Sequence, residues 1–142
     1  MDTGHRITLV RRFDASPASL FRAWTQSTLL GLWWGGKGAT DIVARVEARA
    51  GGYFYVAGRL ASGAVFEDWG NYTHYIRDEV LEFSWRGDGR NGGRVVIQLL
   101  LLKDMTELTL VHFGLPDAET REQQLARWTD ALDALAPVVG PD

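Results

Sequence analysis

The chain has 142 residues, 46% of them hydrophobic, a formal net charge of -3 and no cysteine. The missing thiol excludes disulfide and thiolate chemistry. Dispersed basic residues and a negative balance argue against nucleic acid as a partner, and the three histidines (His5, His74, His112) show no metal-ligand spacing. The length is expected to give one domain, residues 1–142, with a core that needs no staples. No apolar run approaches the ~20 residues needed to span a bilayer, and Met1 to Arg6 carry no apolar signal segment. The expectation is a cytoplasmic protein without membrane insertion.

Arg6 to Phe13 alternate, with Ile7, Leu9 and Phe13 on one parity, which predicts a first strand. Ser16-Pro17 reads as an N-cap followed by proline at the first helical position. Leu20, Phe21 and Trp24 then give a short helix its apolar side. The segment from Ala23 to Gly36 holds Trp24, Trp33, Trp34 and a glycine pair, a density no ordinary surface loop needs. It is either a core plug or one wall of a pocket.

From Thr40 the period returns to two. Ile42, Ala44 and Val46 are followed by Phe54 and Val56 beyond the Gly51-Gly52 turn, then by Phe66 to Ile76, then by Leu81, Phe83 and Trp85. Breakers fall at Ser62-Gly63, at Asp78-Glu79, and at Gly87-Asp88-Gly89 with Gly92-Gly93. Two further strands, Arg94 to Leu102 and Glu107 to Gly114, are joined by Lys103-Asp104-Met105-Thr106. Pro116-Asp117 starts a long helix with the stripe Leu125, Trp128, Leu132 and Leu135, and Pro137 is expected to stop it. This order predicts an α+β fold. A curved antiparallel sheet of about six or seven strands wraps around the C-terminal helix, with two short helices after the first strand and a cavity between helix and sheet.

Several segments resemble a known family in both content and order. They are Phe13-Asp14-Ala15-Ser16-Pro17, Ala23-Trp24-Thr25, Leu32-Trp33-Trp34-Gly35, Arg49 to Phe54, Gly70-Asn71-Tyr72, Leu81 to Trp85, Leu108 to His112, and Trp128 with Leu132 to Leu135. Their succession is similar to the activator of Hsp90 ATPase homologue-like proteins, within the helix-grip (START-like, SRPBCC) superfamily. The resemblance implies a helix-grip fold whose cavity, in related proteins, holds lipids, steroids, polyketides or plant hormones. It transfers no catalytic set. Two positions depart from the family pattern: Ala50 stands where proline is usual, and Arg127 where glycine is common.

Parity selects Trp34, Phe54, Phe66, Asp68, Tyr72, Phe83, Trp85, His112 and Trp128 as a ligand-binding set, mostly apolar with a few polar groups. The alternative is that these side chains fill the interior and leave no cavity. Asp68 and Arg11 share inward parity and either pair or hold a ligand's polar head. No catalytic triad, phosphate loop or metal cluster is present, and no cofactor is implied. The first functional expectation is non-catalytic binding of a small hydrophobic or aromatic molecule. The second is a polyketide cyclase/aromatase-like enzyme with His112, Tyr72 and Asp68 as acid/base groups, and the third a co-chaperone-type interaction module. The outer parity of the last strands, Val96, Leu100 and Leu102 with Val111 and Phe113, is expected to make a homodimer contact.

Overall fold

The computed structural model describes residues 5–87 and 90–140. Strand β1 (His5–Phe13) is followed by helices α1 (Pro17–Thr25) and α2 (Ser27–Leu30). Six strands come next: β2 (Thr40–Val46), β3 (Tyr53–Arg59), β4 (Val65–Ile76), β5 (Val80–Gly87), β6 (Arg90–Leu102) and β7 (Met105–Leu115). Helix α3 (Ala118–Val139) ends the order. The seven strands form one antiparallel sheet in the order β1-β7-β6-β5-β4-β3-β2, with β1 and β2 at its edges.

Local chemistry accounts for the helix starts. The Ser16 hydroxyl accepts the Ser19 amide at 3.1 Å, and Pro17 occupies the first turn, where its missing N–H costs nothing. Asp117 caps α3 in the same way, accepting the Thr120 amide at 2.7 Å. Three boundaries differ from expectation. Pro137 does not stop α3, which continues to Val139; in the last turn a proline forfeits one carbonyl's partner without forcing an end. The connection after β6 is tighter than four residues, because Lys103 adopts a φ of 56° and lets β7 begin at Met105.

Gly92 and Gly93 lie inside β6 and are not a turn. A Cβ on Gly92 would meet Trp85 Cδ1 at 2.4 Å, so this glycine serves close packing of the strand on an indole. Of the expected breakers, Asp88 and Gly89 fall outside the described residues.

The core lies between the concave face of the sheet and the helices. Phe54, Val56, Leu81, Phe83, Val95, Ile97, Leu108 and Leu110 face inward, all at most 1% exposed, as their parity predicts. Trp128, Leu132 and Leu135 of α3 close over them at 2% exposure or less, with Leu125 at the margin of the stripe. No helix among the described residues is long and apolar enough to cross a membrane.

Candidate functional site

The tryptophan-rich segment after α1 divides its labour. Trp33 is fully buried and donates its indole N–H to the Ala23 carbonyl at 3.0 Å, which ties the loop to α1 as a plug. Trp34 turns toward the sheet, stacks on Trp85 at 5.7 Å between centroids, and donates its N–H to Asp68 Oδ2 at 3.0 Å. The plug reading holds for Trp33, while Trp34 packs as a buried ring into the aromatic layer. Gly36, with a φ of 84°, carries the chain past Asp130 of α3, where a Cβ would approach within 3.0 Å.

All nine of the predicted site residues are buried, and their rings interlock. Phe54 meets Phe83 at 4.9 Å and Trp34 at 5.3 Å, while Trp128 lies 5.4 Å from Trp34 and 5.3 Å from Trp85. Tyr72 contacts Phe54 and Phe83 at the other end of the row. Such spacings are those of edge and offset ring pairs in contact. Much of the space between helix and sheet is thus occupied by the chain's own aromatics.

Polar groups collect at one mouth of this layer. Asp68, 2% exposed, accepts the Trp34 indole and both ends of the Arg127 fork, at 3.3 Å to Oδ1 and 2.6 Å to Oδ2. This bidentate geometry is the strong form of a carboxylate–guanidinium pair. The expected partner, Arg11, is elsewhere: β1 is four strands away from β4, and the Arg11 guanidinium donates to the Val10 carbonyl. Parity finds inward strand residues but says nothing of what a helix lowers onto them. Arg127 also lies over the Phe66 ring at 4.9 Å, so this residue spans the gap between α3 and the sheet.

His112 is fully buried and holds two elements together. Its Nε2 lies 2.8 Å from the Gly92 carbonyl, an acceptor only, so Nε2 carries the proton; Nδ1 accepts the Trp128 indole N–H at 3.0 Å. Burial pushes its pKa down to about 4, against the opposing pull of the Gly92 hydrogen bond. Burial likewise raises the Tyr72 hydroxyl well above its ordinary value.

Beside the Asp68–Arg127 pair a cleft of about 260 Å³ opens between the first turns of α3 and the ends of β4, β5 and β6. Its walls include Trp85, Gly92, Thr120, Gln124 and Arg127. Arg127 Nε is buried there without an acceptor, and so is Trp24 Nε1 deeper in. Gln124 and Thr120 were missed by the sequence reading because they face the cleft from α3 outside its apolar stripe. No group of His, Cys, Asp or Glu among the described residues is arranged to hold a metal ion.

Residues 14–140 match the profile of the activator of Hsp90 ATPase homolog 1-like proteins. The chain belongs to this family. A Chromobacterium violaceum protein of known structure is 27% identical, with a TM-score of 0.84 over 97% of this chain and 99% of its own. An AHSA1-like protein from Aeromonas hydrophila superposes with a TM-score of 0.78 at 23% identity, covering 95% of this chain and 92% of its own. The Aha1 dimer from Colwellia psychrerythraea gives 0.76 at 16% identity, over 95% and 96%. No curated protein is significantly similar in sequence. The AHSA1-like, helix-grip assignment is compatible with a ligand-binding or interaction module in general terms.

Proposed function

We propose that this AHSA1-like domain binds a small hydrophobic or aromatic molecule, without turning it over, at the mouth between α3 and the sheet. The observation that carries the reading is the cleft beside Asp68 and Arg127. It has an aromatic floor in Trp85 and hydrogen-bonding walls in Thr120, Gln124 and Arg127. Apolar surface with a few placed polar groups is what small-molecule sites usually offer.

The groups considered for acid/base work favour binding over catalysis. Both nitrogens of His112 are engaged within the fold, and its low pKa leaves it neutral near pH 7. Asp68 is held by three donors, and the Tyr72 hydroxyl is hard to ionise. A general acid needs a proton it can release toward a substrate, and none of the three has that freedom. Native mass spectrometry of protein purified from its own host should reveal a retained small molecule. Gln124→Leu, which removes an amide from the cleft wall, should lower the retained fraction while leaving the unliganded melting temperature nearly unchanged. Retention equal in both proteins, or consumption of the bound molecule on incubation, would overturn the reading.

A second copy of the chain is the partner proposed for the outer face of β6 and β7. Leu100 is 56% exposed there, whereas Phe113 is covered by the guanidinium groups of Arg94 at 4.7 Å and Arg6 at 5.6 Å. The contact would therefore centre on Leu100 and not on the whole row. Sedimentation showing a monomer at about 50 micromolar would remove it.

A further inference from the structure

The convex face of the sheet carries a second aromatic feature, far from α3. Strand pairing aligns Arg45 of β2 with Tyr55 of β3, Tyr55 with Trp69 of β4, and Trp69 with Arg86 of β5. These four residues form one cross-strand row with an arginine at each end and two aromatic residues between. At about 4.8 Å per strand the row is about 14 Å long. Beside it, Ala57 stands between Val43 and Glu67, and its short side chain leaves a hollow among larger neighbours. The result is an open groove of about 660 Å³ whose walls include Val43, Arg45, Tyr55, Glu67 and Trp69.

The charges decide what could lie in it. Among the described residues neither Arg45 nor Arg86 has a carboxylate within salt-bridge distance, whereas Glu82, Asp41 and Glu107, on the same convex face, each hold a cation. Arg86 instead lies over the Trp69 ring at 5.2 Å, which places its guanidinium beside the groove. The one acid in the groove, Glu67, is engaged by the Tyr55 hydroxyl at 2.7 Å, a hydrogen bond that raises the Tyr55 pKa and fixes the ring over the strand. Within the groove Arg45 balances Glu67, and Arg86, beside it at the Trp69 end of the row, adds one positive charge on a protein whose overall charge is negative. Two aromatic side chains flanked by guanidinium groups that have no carboxylate partner among the described residues suit a flat ligand that carries negative charge.

We infer that the groove along Arg45, Tyr55 and Trp69, with Arg86 at its end, binds a planar aromatic anion, its ring against Tyr55 and Trp69 and its anionic group held by an arginine. The site is separate from the cleft under α3. It reads the ligand by charge as well as by shape, whereas the cleft offers a carboxylate already satisfied by its own arginine.

The test uses the full chain and two probes, 2-naphthoate and its uncharged isostere 2-naphthamide, followed through the six indole N–H resonances. Naphthoate should shift Trp69 saturably and naphthamide should bind at least about tenfold more weakly, the loss expected when a charge-assisted hydrogen bond is removed. The double variant Arg45→Gln/Arg86→Gln, all of it on the exposed face, should weaken naphthoate by a similar factor and leave naphthamide within about twofold. Trp69→Leu, with fold retention checked by the remaining indole resonances, should weaken both probes. Equal binding of the two probes, insensitivity to the arginine pair, or naphthoate shifts confined to Trp34 and Trp85 would overturn the inference. The last of these results would still leave the cleft reading standing, so the two sites fail independently.

Discussion

Acidification should loosen the docking of α3 on the sheet, and His112 should be the reason. The neutral imidazole is the acceptor for the Trp128 indole; once Nδ1 is protonated, two N–H groups face each other across 3.0 Å. In the folded chain the pKa lies at about 4, below the ordinary 6.5 of an exposed histidine. The unfolded chain therefore takes up its proton first as pH falls. The stability that His112 contributes is fully present above about pH 6.5 and is lost progressively down to about pH 4. At about 1.4 kcal/mol per pH unit the loss amounts to about 3 kcal/mol, a large part of a domain's total stability. Denaturant titrations at half-unit intervals from pH 7.5 to 4 should show this slope. His112→Gln replaces the imidazole with an amide that does not titrate, so its stability should be lower at pH 7.5 and flatter across the window. Carboxylates contribute equally to both proteins and cancel in the difference. Wild-type and variant curves that run parallel from pH 7 to 4 would refute the assignment of His112 as the pH-sensitive tether.

Other perturbations follow from the same geometry. Trp128→Ala removes a buried indole that touches Trp24, Trp34 and Trp85, and should cost about 3–5 kcal/mol in a denaturant titration. Asp68→Ala leaves the Arg127 fork and the Trp34 N–H without their acceptor and should cost about 3–5 kcal/mol. The double variant Asp68→Leu/Arg127→Met should recover much of that loss, which a double-mutant cycle would measure. Gly92→Ala forces a Cβ into the Trp85 ring and should destabilise by about 1–3 kcal/mol, with the Trp85 indole resonance displaced.

Much of the fold is legible in the sequence because its signals are local. Ser16-Pro17 and Asp117 announce their helices through capping groups within three residues, and alternation alone assigns Phe54, Phe83 and Leu110 to the concave face. The strand boundary at Gly92 is not legible, since a glycine that ends a strand and one that admits an indole look alike until Trp85 is placed against it. The polar pairing is hidden for a related reason. Asp68 and Arg127 are separated by 59 residues, and which arginine reaches the carboxylate depends on how α3 crosses the sheet, not on strand parity. The convex groove escapes sequence reading altogether. Arg45, Tyr55, Trp69 and Arg86 look like scattered solvent-facing positions, and only the register of four strands aligns them.

Entry of a small aromatic ligand at the mouth beside Asp68 and Arg127 would be read by titrating the full chain with a neutral probe, 2-naphthol, and following its indole N–H resonances. Trp34, bonded to Asp68, and Trp85, in the cleft wall, should shift together and saturably, with the buried Trp33 left in place. If neither Trp34 nor Trp85 moves at probe saturation, or if only Trp69 on the convex face responds, the cleft is not the binding site.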